Sequence, residues 1–78
     1  MRKSDLKTRL HIMTSHFGIT QKELSQKTGI REATISLYFR GKREPNAKYL
    51  VMIADAMRVS PSWLLGYGDD DVIEKMED

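Results

Sequence analysis

The chain has 78 residues, of which 31% are charged and none is cysteine, so it offers neither a disulfide framework nor a thiolate metal site. A chain of this length makes one domain that buries about 60–65% of its unfolded surface, and no apolar run approaches the roughly 20 residues that span a membrane. The net charge of +2 conceals a segregation: residues 1–66 hold 12 Lys/Arg against 5 Asp/Glu, and residues 67–78 hold 1 against 6. A basic body suited to a polyanion is thus expected ahead of an acidic tail. Met1-Arg2-Lys3 is not followed by a secretory apolar core, and a soluble, cytoplasmic protein is expected.

Residues 1–17 read as a first helix. Ser4 is the expected N-cap, with Asp5 in the first turn where the helix dipole favours negative charge. Leu6, Leu10, Met13 and Phe17 recur at helical spacing and predict one apolar stripe, which Gly18 ends. His11 and His16 lie off that stripe, with no second ligand or nucleophile at useful spacing, and are read as facing solvent or phosphate. Arg2 and Lys3 suggest a short basic arm.

Ile19 is placed as a hydrophobic staple, and Thr20 with Glu23 has the spacing of a capping box at the start of a second helix. Gly29 must stop that helix, because a residue without a Cβ adopts the left-handed conformation cheaply. A third helix is predicted from Arg31 or Glu32 to Phe39, ended by Gly41. Leu24, Ile30, Ile35 and Tyr38 are the apolar positions of this unit, and small Ser25 permits close approach. The other face of the third helix carries Glu32, Ala33, Ser36, Leu37 and Arg40 and has no core to meet.

Residues 40–45 form a basic loop. Pro45 excludes helix at Glu44, and Asn46 caps a fourth helix running to about Met57. Its buried stripe is expected to be Leu50, Ile53, Ala54 and Met57, with Ala47 one turn earlier. Ser60-Pro61 reads as an N-cap with proline at the first helical position, opening a short last helix to Leu65 in which Leu64 points inward. Gly66 closes the body. Residues 67–78 read as the acidic tail, in which Val72, Ile73 and Met76 suit one weak helical turn. Asp69, Asp70 and Asp71 lack calcium-loop spacing, so no metal and no cofactor is expected.

The segment from Gln21 to Gly41 has the helix-turn-helix pattern. It resembles the DNA-binding domains of lambda-type phage repressors and the wider bacterial family of repressor and Cro-like regulators. The matching features are Gln21 at the helix start, Leu24 three on, small Ser25, Gly29 at the turn, Ile35 in the next helix, and Gly41-Lys42-Arg43-x-Pro45 beyond it. Val59-Ser60-x-x-Trp63-Leu64-Leu65-Gly66 is similar to the fifth helix of those domains. The resemblance implies an all-α, compact five-helix bundle over residues 1–66 that binds double-stranded DNA as a homodimer, as a repressor of phage or prophage type. In long repressors of this type a polar stretch like residues 67–78 leads to a C-terminal oligomerisation domain.

By position in that family, Glu32, Ala33, Thr34, Ser36 and Leu37 are the base-reading candidates. Glu32 is an acceptor only and suits a cytosine amino group, whereas Ala33 and Leu37 suit thymine methyls. Many relatives place Gln where this chain has Glu32, which puts the target sequence in question. The phosphate candidates are Gln21, Arg31, Arg40, Lys42, Arg43 and Lys48, with Arg31 alternatively paired to Glu32. Phe39 is expected to pack sideways against the fourth helix. Trp63 either covers the edge of the core or contacts a partner subunit. Two other functions remain open at this point: an antitoxin that binds DNA and a toxin partner, and a protein-interaction module without DNA. No nucleophile–base pair or glycine-rich phosphate loop supports an enzyme.

Overall fold

The structure, a computed structural model, describes residues 4–68. Its regular elements are five helices: α1 (Leu6–Phe17), α2 (Gln21–Thr28), α3 (Glu32–Phe39), α4 (Ala47–Met57) and α5 (Pro61–Leu64). Helix α3 packs on α2 and α1, α4 on α2, and α5 joins α4 to α1. The all-α bundle expected from the sequence is therefore present.

Side-chain caps set the helix starts. The Thr20 hydroxyl accepts from the Glu23 N–H at 3.0 Å and donates to the Glu23 carboxylate at 3.3 Å. Asn46 accepts from the Tyr49 N–H at 2.8 Å and Ser60 from the Trp63 N–H at 3.0 Å. Each such cap contributes about 1 kcal/mol. At α1 the cap is Asp5, not Ser4: the Asp5 carboxylate accepts from the Thr8 N–H at 2.8 Å. The Ser4 N–H instead donates to the Gly66 carbonyl at 3.2 Å. A carboxylate offers only acceptors and meets the positive end of the helix dipole better than a hydroxyl does.

The helix ends divide into two kinds. Gly29 closes α2 at φ +79°, where a Cβ would be strained. Helix α4 ends on Arg58 at φ +61°, a conformation that costs a non-glycine residue about 1–2 kcal/mol. The Val59 N–H then reaches the Ala54 carbonyl at 3.0 Å, and buried Val59 packs inward behind it.

Leu10, Met13, Leu24, Ile35, Ile53 and Leu64 are fully enclosed and form the centre of the core, joined by Leu6, Ile30, Tyr38, Phe39, Ala54, Met57, Val59 and Trp63. Burying an aliphatic side chain of this size stabilises by about 1.5–3 kcal/mol. Two expectations of burial require correction. Phe17, at the last position of α1 where Gly18 turns the chain away, leaves 36% of its surface exposed. Ala47, the first residue of α4 beside the open loop, is also exposed. Phe39 is buried, and its ring stands edge-on to His11 of α1, 5.4 Å between centroids.

The feature with no counterpart in the sequence reading is Arg9. Three residues after Leu6, it shares the apolar side of α1 by spacing but not by charge, and it is fully buried. Its guanidinium sits over the Trp63 ring, 4.6 Å from the centroid. It donates to the carbonyls of Trp63 (3.2 Å), Gly66 (3.4 Å) and Gly68 (2.6 Å). Tyr67 and Gly68 are thereby held against the body. The expected helical turn at Val72, Ile73 and Met76, the aspartate run and the Arg2-Lys3 arm all lie outside the described residues.

Candidate nucleic-acid interface

The geometry of the α2–α3 unit follows from three side chains. Leu24 of α2, Ile30 of the turn and Ile35 of α3 are buried against one another's helices. The Ser25 hydroxyl donates to the Ile30 carbonyl, and the Thr28 hydroxyl donates to the Leu24 carbonyl at 2.8 Å while accepting from the Ile30 N–H at 3.1 Å. The turn's backbone groups are thus satisfied internally, which fixes α3 against α2 without help from the rest of the chain.

With Ile35, Tyr38 and Phe39 turned inward, the outward face of α3 carries Glu32 and Ala33 fully exposed. Thr34, Ser36 and Leu37 are half-covered on its flanks, and Arg40 is exposed at the far end. All five base-reading candidates therefore lie on or beside one open helical surface. Leu37 is less anomalous than its type suggests, because part of its apolar area is already covered.

The cationic candidates fall into two groups. Arg31 and Arg43 line a single cleft with Thr34, Tyr38, Asn46 and Tyr49. Arg40 and Arg43 line a second, with Asp5, Lys7, Tyr38 and Glu44. Lys42 and Lys48 are exposed on the loop and at the start of α4, and Gln21 is half-buried as the first residue of α2. Tyr38 forms the partition between the two clefts. Burial raises its phenol above the ordinary value of 10.0, with Arg43 partly opposing and Tyr49 adding to the rise, so the hydroxyl stays protonated at neutral pH.

Two contributors were missed in the sequence. Lys7 of α1 reaches the basic loop, and a Cβ on Gly41 would stand 3.1 Å from its Cδ. Gly41, at φ +69°, is therefore needed both for the turn and for the passage of that side chain. His11, read as facing solvent or phosphate, is exposed and also closes the other end of the surface. Its Nε2–H donates to the Phe39 carbonyl at 2.9 Å, where the end of α3 lacks a helical partner. No local signal marks either residue, since both act across 28 or more positions of chain.

Trp63 does not stand at a surface. It is 4% exposed beneath Arg9, so of the two roles left open for it the structure favours the one in the core.

The family model for the helix-turn-helix matches residues 13–64. The chain belongs to the helix-turn-helix family. Over 67 residues it is 36% identical to the HTH-type transcriptional regulator for conjugative element R391 of Providencia rettgeri, a match covering 86% of this chain and 30% of that protein. The chain thus spans under a third of the length of that regulator. Among solved structures it is similar to the DNA-binding domain of the P22 c2 repressor in solution, with a TM-score of 0.76, 27% identity and coverage of 86% and 88% of the two chains. It is equally similar to the P22 c2 repressor in complex with a synthetic operator, with a TM-score of 0.75, 29% identity and coverage of 85% and 98%. The chain thus shares its overall fold with the P22 c2 repressor in both structures.

Proposed function

We propose that this chain binds double-stranded DNA sequence-specifically and serves as a transcriptional regulator, a repressor of the kind carried by phages and other mobile elements. The carrying observation is the open face of α3, an eight-residue helix whose Glu32, Ala33 and Leu37 face away from the core beside the cations Arg31, Arg40 and Arg43. A helix held this way enters the major groove, where side chains at its start reach base edges. The similarity to a repressor solved on its operator supports that reading.

Affinity comes from Gln21, Arg31, Arg40, Lys42, Arg43 and Lys48 on phosphates, and specificity from Glu32, Ala33, Thr34, Ser36 and Leu37 on base edges. One such face reads only a few base pairs, so the protein acts as a symmetric dimer on half-sites about one helical turn apart. No catalytic chemistry is assigned to it. Among the described residues no helix is long and apolar enough to cross a membrane, and a cytoplasmic location fits a DNA-bound regulator.

The test is selection of bound duplexes from a random pool by the purified protein at about 150 mM salt, an ionic strength that suppresses non-specific phosphate contacts. A two-fold symmetric enriched site is the expected result. No retention, repeated at low salt, would sink the reading.

A further inference from the structure

The cleft beside α3 has a volume of about 670 Å³, and of the base-reading candidates only Thr34 borders it. Its polar walls are Arg31 and Thr34 from the start of α3, Arg43, Glu44 and Asn46 from the loop entering α4, and Tyr49. Tyr38 forms the floor. This side chain is 3% exposed, yet among the described residues its hydroxyl has no hydrogen-bond partner. Tyr38 and Arg43 line this cleft together with Tyr49, and the Tyr38 hydroxyl is not among the enclosed polar atoms, so it opens to the space that the side chain lines.

The rest of the site has matching chemistry. Helix α4 is 11 residues long and starts at the cleft. Asn46 serves the Tyr49 N–H with its side chain and the Leu50 N–H with its carbonyl, which leaves the N–H groups of Ala47 and Lys48 unused by the helix. Two guanidinium groups, a helix N-terminus and a buried neutral donor converge on one space, with the Glu44 carboxylate at its rim. A tetrahedral oxyanion satisfies all the donors at once.

We infer that this cleft seats one backbone phosphate of the duplex, and that the Tyr38 hydroxyl donates to it from beneath while Arg31 and Arg43 flank it. The assignment rests on the DNA-binding reading given above. It makes Tyr38 a binding residue as well as a core residue, and a distinctive one. A neutral donor displaces no counterion, so its contribution does not alter the salt slope, whereas each arginine's contribution does.

The test compares duplex affinity of wild-type, Tyr38→Phe and Arg43→Ala proteins across a salt series, using duplexes that carry a methylphosphonate at one flanking position at a time. Tyr38→Phe is expected to bind about tenfold more weakly on all sequences alike, with the salt slope unchanged and thermal stability retained. Arg43→Ala is expected to lower the slope by about 1. One methylphosphonate position is expected to weaken the wild type more than it weakens Tyr38→Phe, whose remaining loss reflects the two arginines. Equal binding by wild type and Tyr38→Phe overturns the assignment, as does a wild type indifferent to every methylphosphonate, a result that needs no variant to fold. Inorganic phosphate titrated at constant ionic strength separates the sources. Saturable shifts of the Tyr38 ring resonances without any methylphosphonate effect assign the cleft to a free anion and overturn the DNA contact. A wild type that binds no duplex at all overturns the interface reading itself.

Discussion

The α2–α3 unit and the seam between α1 and α5 are built on opposite plans. In the first, the capping and turn hydrogen bonds are local. Thr20 meets Glu23 three residues on, and Ser25 meets Ile30 five residues on. In the second, Arg9 reaches 54 to 59 residues along the chain to Trp63, Gly66 and Gly68. The unit proposed to face DNA is therefore specified largely by short-range signals, with α1 and α4 packed against it. The seam exists only when the whole chain has closed. Stability and recognition are thus separable in this molecule, and mutations can be aimed at one without the other.

Arg9→Ala should have the largest effect. Removing a buried, hydrogen-bonded cation takes one donor from each of three carbonyls and the cation from the Trp63 ring, at a cost of about 3 kcal/mol. Urea unfolding should record that loss, which is a large part of a small domain's total stability. DNA affinity per folded molecule should be unchanged, and a selective loss of affinity would mean that the seam and the interface are coupled. Thr20→Ala attacks the other region at its cap and should cost about 1 kcal/mol. Calorimetry should show the midpoint falling by about 4–8 °C, and an unchanged midpoint would remove the cap from the local account.

Arg43→Ala should leave stability within about 0.5 kcal/mol. Binding should weaken alike on every sequence and become less salt-sensitive. Altered preference with an unaltered slope would reverse the roles assigned to Arg43 and α3. Ala33→Gln, on the exposed start of α3, should affect stability least and preference most. Selection from a random pool should return a different half-site, and recovery of the wild-type site would remove Ala33 from the reading set.

The same division governs what could be read in advance. Thr20, Gly29, Asn46, Ser60 and Pro61 each carry their conformational preference in their own chemistry, and the corresponding helix starts and stops fall where they were expected. Ile35 and Tyr38 declare the inward face by spacing, and the outward face of α3 follows from it. Arg58 carries no such sign. It ends α4 in a conformation that favours glycine, because the packing of Val59 behind it offsets the local strain. His11 and Lys7 likewise have ordinary surface chemistry, and only the docking of α1 against α3 gives them tasks.

The sequence by itself determined the five helices, the helix-turn-helix and the side of α3 that is left open, because caps, glycines and apolar periodicity act within a few residues of where they stand. Only the tertiary structure decided that Arg9 lies in the core, that Trp63 lies beneath it, and that the Tyr38 hydroxyl faces a cleft shared with Arg31 and Arg43. Those facts depend on pairings across most of the chain's length. Each takes a charged, polar or aromatic group whose preferred neighbours cannot be named from its own position, and supplies them only when distant backbone and side chains arrive together.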